Sequence, residues 1–117
     1  MHLTLPGKKI WLFKTPVDFR RAIDGLCSLV SSEPGHVPRD NIYIFYNRGK
    51  DKIKLLAWHR NGWVLIYKRL EKGRFVFNFN RTTGTYEIGT EEAGWLLAGL
   101  EWQKMREFQE LSYKKFS

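Results

Sequence analysis

Apolar and polar positions change rhythm several times along this chain, and the changes mark out its elements. Residues 10–13 (IWLF) form a short unbroken apolar run, the pattern of a buried strand. Thr15-Pro16-Val17-Asp18 then carries helix-start chemistry: a capping hydroxyl, a proline suited to the first helical position and an acid for the positive helix end. Phe19, Ile23, Leu26, Cys27 and Val30 follow at helical spacing and predict one buried stripe, with Pro34 and Gly35 ending the helix.

The rhythm then shifts to that of strands. Residues 42–46 (IYIFY) are rich in Ile and aromatics, and Arg48-Gly49-Lys50-Asp51 is a turn. Residues 52–58 predict a second strand of this region. Asn61-Gly62 is a hairpin signal, because a tight type I′ turn needs positive φ at both central residues. Residues 63–70 return as a third strand, and Glu71-Lys72-Gly73 turns again. Phe75, Phe77 and Phe79 alternate along a predicted fourth. After Thr82-Thr83-Gly84 come a short strand at residues 86–88 and a helix capped by Thr90-Glu91-Glu92, with Trp95, Leu96 and Leu100 apolar. Gly94 and Gly99 weaken that helix by up to about 1 kcal/mol each. The predicted fold class is α+β: an antiparallel β-meander of four to six strands with one N-terminal and one C-terminal helix. Residues 1–104 are expected to form a single domain, and 105–117 a helical or frayed tail.

A loop at Asn61 and Gly62 assigns the faces of the sheet. Directly opposed residues share a face, so Arg60 joins Trp63, Trp58 joins Leu65, Leu56 joins Tyr67 and Lys54 joins Arg69. Tyr43 and Phe45 extend this aromatic and basic face. Ala57, Ile66, Leu55, Ile53, Ile42 and Ile44 line the other, which is the natural seat for the first helix. The aromatic face is either a stacking surface for bases with a phosphate-tracking rim or core beneath the last helix.

Charge sharpens the picture. The chain of 117 residues carries 20 Lys and Arg against 12 Asp and Glu, a formal net charge of +8. Residues 39–81 hold 11 of the bases and three of the acids, which is the whole excess, whereas the stretch from Glu87 onward is mixed and slightly acidic. Such asymmetry raises a polyanionic partner, nucleic acid or an anionic surface, above a solubilising role alone. The single cysteine, Cys27, excludes an internal disulfide framework and suits a reducing cytoplasm. No apolar run approaches the roughly 18 residues that span a bilayer, and the first residues lack a signal-peptide core, so a soluble cytoplasmic protein is expected without a membrane partner.

Catalytic chemistry is thin. His2, His36, His59 and Cys27 have no metal-ligand spacing, and no phosphate-binding glycine loop or nucleophile elbow occurs. Asp18 and Asp24 lie well apart around a helix, where Asp18 can pair with Arg21 and Asp24 with Arg20. A two-metal nuclease would need converging carboxylates. No metal, no cofactor and no catalytic residue is expected.

Three blocks carry a family resemblance. Residues 16–26 (PVDFRRAIDGL) resemble the "TDMRKGxDGLxxLV" helix of accessory proteins encoded by insertion sequence 66 family elements, also called TnpB or the second open reading frame product. Residues 51–56 (DKIKLL), Asn61-Gly62 and residues 67–75 (YKRLEKGRF) are similar to that family's "DRIKLLxWDGNGxxLxYKRLExGRF". Residues 96–102 (LLAGLEW) resemble its "LLxGIDW" close. Two departures stand out: His59-Arg60 replaces Asp-Gly before the turn, and Phe77-Asn78 stands where Trp-Pro is frequent. The resemblance implies a small non-catalytic protein encoded beside a separate DDE-type transposase and supporting transposition.

On this reading the expected phosphate contacts are Arg48, Lys50, Lys52, Lys54, Arg60, Lys68, Arg69, Lys72 and Arg74. Trp58, Trp63 and Tyr67 are expected to stack or to dock a partner, and Asp18, Arg20 and Asp24 mark the motif helix, Arg20 on the strength of the resemblance. DNA and the transposase are the expected partners. A module that docks on the transposase without touching DNA is the alternative.

Overall fold

The computed structural model describes residues 8–77 and 85–98. Five strands, β1 (Ile10–Phe13), β2 (Ile42–Tyr46), β3 (Lys52–His59), β4 (Gly62–Arg69) and β5 (Thr85–Ile88), form one sheet in the order β4-β3-β2-β1-β5. Helix α1 (Ile23–Ser32) follows β1, and α2 (Thr90–Ala98) follows β5. The fold is α+β, as the sequence predicts, but the sheet is mixed. β2, β3 and β4 are an antiparallel meander, whereas β1 runs parallel to β2. Parallel neighbours need a crossover, and the chain through α1 supplies it.

The helix begins later than its start signals suggest. After a bend at residues 14–15, Val17 donates its N–H to the Tyr46 carbonyl at 2.8 Å and is buried, so the chain at this point is still tied to the end of β2. Asp18 then closes a turn: its carboxylate accepts the Arg20 N–H at 2.9 Å, and its carbonyl accepts the Arg21 N–H. An Asp that bonds its own backbone two residues on competes with helix formation. Ala22 is the N-cap, without a side-chain cap. The predicted stripe nevertheless holds, with Ile23, Leu26, Cys27 and Val30 all facing the sheet and Phe19 joining them from the preceding loop.

The two helices sit on the faces opposite to those expected. α1 packs on the aromatic face, with Leu26 and Val30 against Phe13, Tyr43, Phe45 and Leu56. α2 covers the aliphatic face, with Ala93 and Leu96 against Ile10, Leu12, Ile42, Ile44 and Ile88. Tyr43 and Phe45 are therefore core, and the aromatic face is largely closed by the first helix instead of the last. Of the predicted Phe75–Phe79 strand, residues 75–77 form none: Phe75 is buried and Phe77 stacks on Tyr46 at 4.4 Å between ring centroids. Phe79, the Thr82-Thr83-Gly84 turn, Leu100 and the tail from 105 lie outside the described residues.

The β3–β4 turn is Arg60-Asn61 rather than Asn61-Gly62, with His59 opposite Gly62 and Trp58 opposite Trp63. This register differs by two residues from the expected one, and a two-residue slip leaves every side chain on its face. What it changes is the neighbours. Trp58 and Trp63 now meet edge to face at 5.2 Å, an arrangement worth about 0.5–1.5 kcal/mol beyond area burial. Arg60 takes φ +55° in return, a left-handed conformation that costs a non-glycine residue about 1 kcal/mol. Arg60→Gly should therefore stabilise the protein by about 0.5–1 kcal/mol in urea unfolding. Gly62, with open space around its Cα and no positive φ, should accept Ala with stability unchanged or raised. A clear loss at Gly62 would instead place the turn at Asn61-Gly62.

Candidate nucleic-acid interface

The β2–β3 turn is built by two polar side chains. Asn47 Oδ1 accepts the N–H groups of Asp51 and Lys52 at 3.1 and 3.0 Å, and its Nδ2 donates to the Asp51 carboxylate at 2.6 Å. That bond, the largest influence on it, holds the Asp51 carboxyl below the usual range. Lys50 occupies φ +57° within this tight loop. With the loop pinned from inside, Arg48 and Lys50 project into solvent.

A second segment lies against the same turn. The Asp51 carbonyl accepts the Leu70 N–H, and the Lys50 carbonyl accepts the Phe75 N–H, both at 2.7 Å. Burial of Phe75 anchors this strap, so exposed Lys72 and Arg74 emerge beside Arg48 and Lys50. Lys52 and Arg69 are cross-strand partners at the same end of the sheet. Six of the nine predicted phosphate contacts thus gather at one end. Of the carboxylates nearby, Asp51 is engaged by Asn47, and Glu71 pairs with Arg69 at 3.0 Å.

The other three predicted contacts are placed elsewhere. Arg60 sits at the hairpin tip, roughly 25 Å from Lys52 for an eight-residue strand. Lys68 lies half-buried on the aliphatic face opposite Ile53, where burial pushes its ammonium below the ordinary lysine range. Lys54 is only 8% exposed. Its Nζ donates to the Phe19 and Arg21 carbonyls, both at 2.8 Å, and rests 4.9 Å from the centre of the Phe19 ring. That ammonium fastens the loop before α1 to the sheet and offers no charge at the surface. Burial lowers its pKa, with the Asp18 charge opposing.

The aromatic candidates separate as well. The Arg39 guanidinium lies 4.1 Å above the half-buried Trp58 ring and occupies a stacking face. Lys8 fixes that corner by donating to the carbonyls of Arg39 and Trp58. Trp63 packs into the α1 cluster. Tyr67 remains 50% exposed and stands on the side of the basic end. Lys8 and Arg39 carry no local signal in the sequence, since strands distant in the chain bring them to Trp58. Asn47 had one: an Asn four residues before an Asp around a glycine.

The motif carboxylates do not converge. Asp18 pairs with Arg20 at 2.6 Å, not with Arg21, and Asp24 stands exposed in the first turn of α1. Among the described residues no three His, Cys, Asp or Glu side chains group as metal ligands.

Comparison with known proteins agrees with the blocks quoted above. The profile of the IS66 Orf2-like proteins matches residues 8–107. This chain belongs to the IS66 Orf2-like family. Uncharacterized protein y4jC of Sinorhizobium fredii is 34% identical over 101 residues, 86% of each chain. Uncharacterized protein y4hO of the same organism is 27% identical over 100 residues, spanning 85% of this chain and 86% of that one. No solved structure matches this IS66 Orf2-like chain.

Two outcomes follow from the loop that Lys54 holds. Lys54→Ala leaves two carbonyls without their donor and should lower stability by about 1–3 kcal/mol in urea unfolding, an effect a surface lysine would not show. Asp18 is held down to about 2, first by the Arg20 side chain and then by the Arg20 N–H. A depressed carboxylate stabilises the fold above its unfolded value of 3.8 and loses that contribution as pH falls through the folded value. Unfolding midpoints of the wild type should therefore fall between pH 4 and 2 more steeply than those of Asp18→Asn.

Proposed function

We propose that this protein is a non-catalytic accessory factor for transposition of an insertion sequence and that it contacts DNA. Arg48, Lys50, Lys52, Arg69, Lys72 and Arg74 at the basic end of the sheet are the phosphate contacts, with Tyr67 at their margin. The observation that carries the reading is the gathering of these cations by the Asn47-pinned turn and the strap of residues 70–75. The six cations outnumber the two nearby carboxylates, Asp51 and Glu71, so the cluster keeps a local excess of positive charge even with Glu71 paired to Arg69. Membership in the IS66 Orf2-like family supplies the biological setting.

Cations on a rigid end of a sheet recognise backbone phosphate by charge, with little dependence on base sequence. Each contact releases counterions, so affinity falls steeply as salt rises. A separate DDE-type transposase is the second partner in this reading, and a short basic protein beside such an enzyme needs no catalytic carboxylates of its own.

Fluorescence anisotropy tests the assignment. Labelled duplex with the element's terminal repeat, scrambled duplex and single strands are each titrated at two salt concentrations. Micromolar or tighter binding is expected, and the paired change Arg48→Ala and Lys50→Ala should flatten the salt slope by about 1 per lost contact. Arg60→Ala, at the far end, should leave that slope unchanged. No binding at low salt would remove the DNA contact and make the transposase the partner; metal-dependent cleavage abolished by Asp18→Asn would make the protein a nuclease.

A further inference from the structure

β4 is an outer strand of the sheet. The Asp51 carbonyl accepts the Leu70 N–H, and Leu70 continues β4 in register, so even-numbered residues of this strand bond inward to β3. Trp63, Leu65, Tyr67 and Arg69 consequently turn their N–H and C=O groups away from the sheet. Among the described residues no strand pairs with that edge.

Edges of this kind are normally blunted by proline, bulges or charge. Residues 62–67 (GWVLIY) contain no proline and no charge, and the β3–β4 register runs unbroken. Val64 is 38% exposed and Tyr67 50%.

We propose that this edge is a self-association site, where β4 of one copy pairs antiparallel with β4 of a second copy across a two-fold axis at Leu65. The strand is complementary to itself in that register. Trp63 of each copy faces Tyr67 of the other, Val64 faces Ile66, and Leu65 meets Leu65. Lys68 and Arg69 come opposite Gly62 and Asn61, so no cation opposes a cation. Centring the axis one residue later, at Ile66, would set Arg60 against Lys72, and charge selects the first register. A two-fold pairing of this kind closes on itself and uses up both edges.

Self-pairing of two strongly basic chains is opposed by their net charge, so it strengthens with salt. DNA binding weakens with salt, and the two processes therefore separate in one experiment. Sedimentation velocity of the full chain, without DNA, over a hundredfold concentration range at low and high salt should show a dimer favoured by high salt. Val64→Lys places a charge opposite Ile66 and should raise the dimer Kd by about tenfold or more, with circular dichroism unchanged. Leu65→Pro removes an outward N–H while leaving the inward ladder intact and should abolish the dimer. In the wild type, the Trp63, Leu65 and Tyr67 amides should exchange slowly only at concentrations where the dimer forms. A monomer throughout the range, or a dimer that Val64→Lys leaves unaltered, overturns the proposal. Slow exchange of those three amides in a monomer also overturns it, by showing the edge covered within the chain.

Discussion

The ammonium of Lys54 stands between the sheet and the chain that leads into α1, and much of the architecture rests on it. β1 and β2 are parallel, so the segment joining them must leave the sheet, cross a face and return. Lys54 fixes where that crossing starts, with its charge solvated by two backbone carbonyls and the face of a phenylalanine rather than by water. Because the loop is seated there, α1 descends onto Tyr43, Phe45 and Leu56. A basic residue that looks like part of a ligand-facing rim is an internal fastener.

The sequence was legible where a pattern is local. β1 and β2 fall on the predicted residues, and the stripe of α1 and the Thr90 start of α2 are also as expected. The division of the β3–β4 hairpin into two faces survived a wrong turn position because moving a two-residue turn by one residue shifts the pairing register by two. Three features were not legible. The parallel pairing of β1 with β2 depends on residues far apart in the chain. The Asp18 turn displaced a helix start whose Thr, Pro and Asp chemistry was locally sound, because Val17 pairs with Tyr46. The choice of face for each helix followed from the crossover, which hydropathy of the faces does not encode.

The same distinction applies to the interface. Charge density along residues 39–81 singled out one stretch of the chain, yet charge alone could not divide nine cations into those that gather and those that do not. The division came from two backbone hydrogen bonds, through Lys50 and Asp51, that draw the GRF-containing strap against the β2–β3 turn. The family block at residues 67–75 therefore includes three of the gathered cations, Arg69, Lys72 and Arg74, and the phenylalanine that anchors the strap. Arg39 over Trp58 shows the converse, a cation and an aromatic ring that satisfy each other at the opposite corner.

The position of β1 in the sheet also sets an order of assembly. The β2–β3–β4 meander joins neighbours in sequence and closes short loops, so it can form early. β1 must wait for β2 to lie beside it, and its outer neighbour β5 pairs Ile88 with Ile10, nearly from one end of the described chain to the other. During synthesis the first strand is therefore made long before its last partner. Until β5 arrives, β1 presents a bare edge to the ribosomal surroundings, and the aliphatic face beneath α2 stays uncovered. The longest-range step in making this small protein is thus the docking of β5 and α2 on strands made much earlier, and until then that edge and that face are the surfaces open to aggregation.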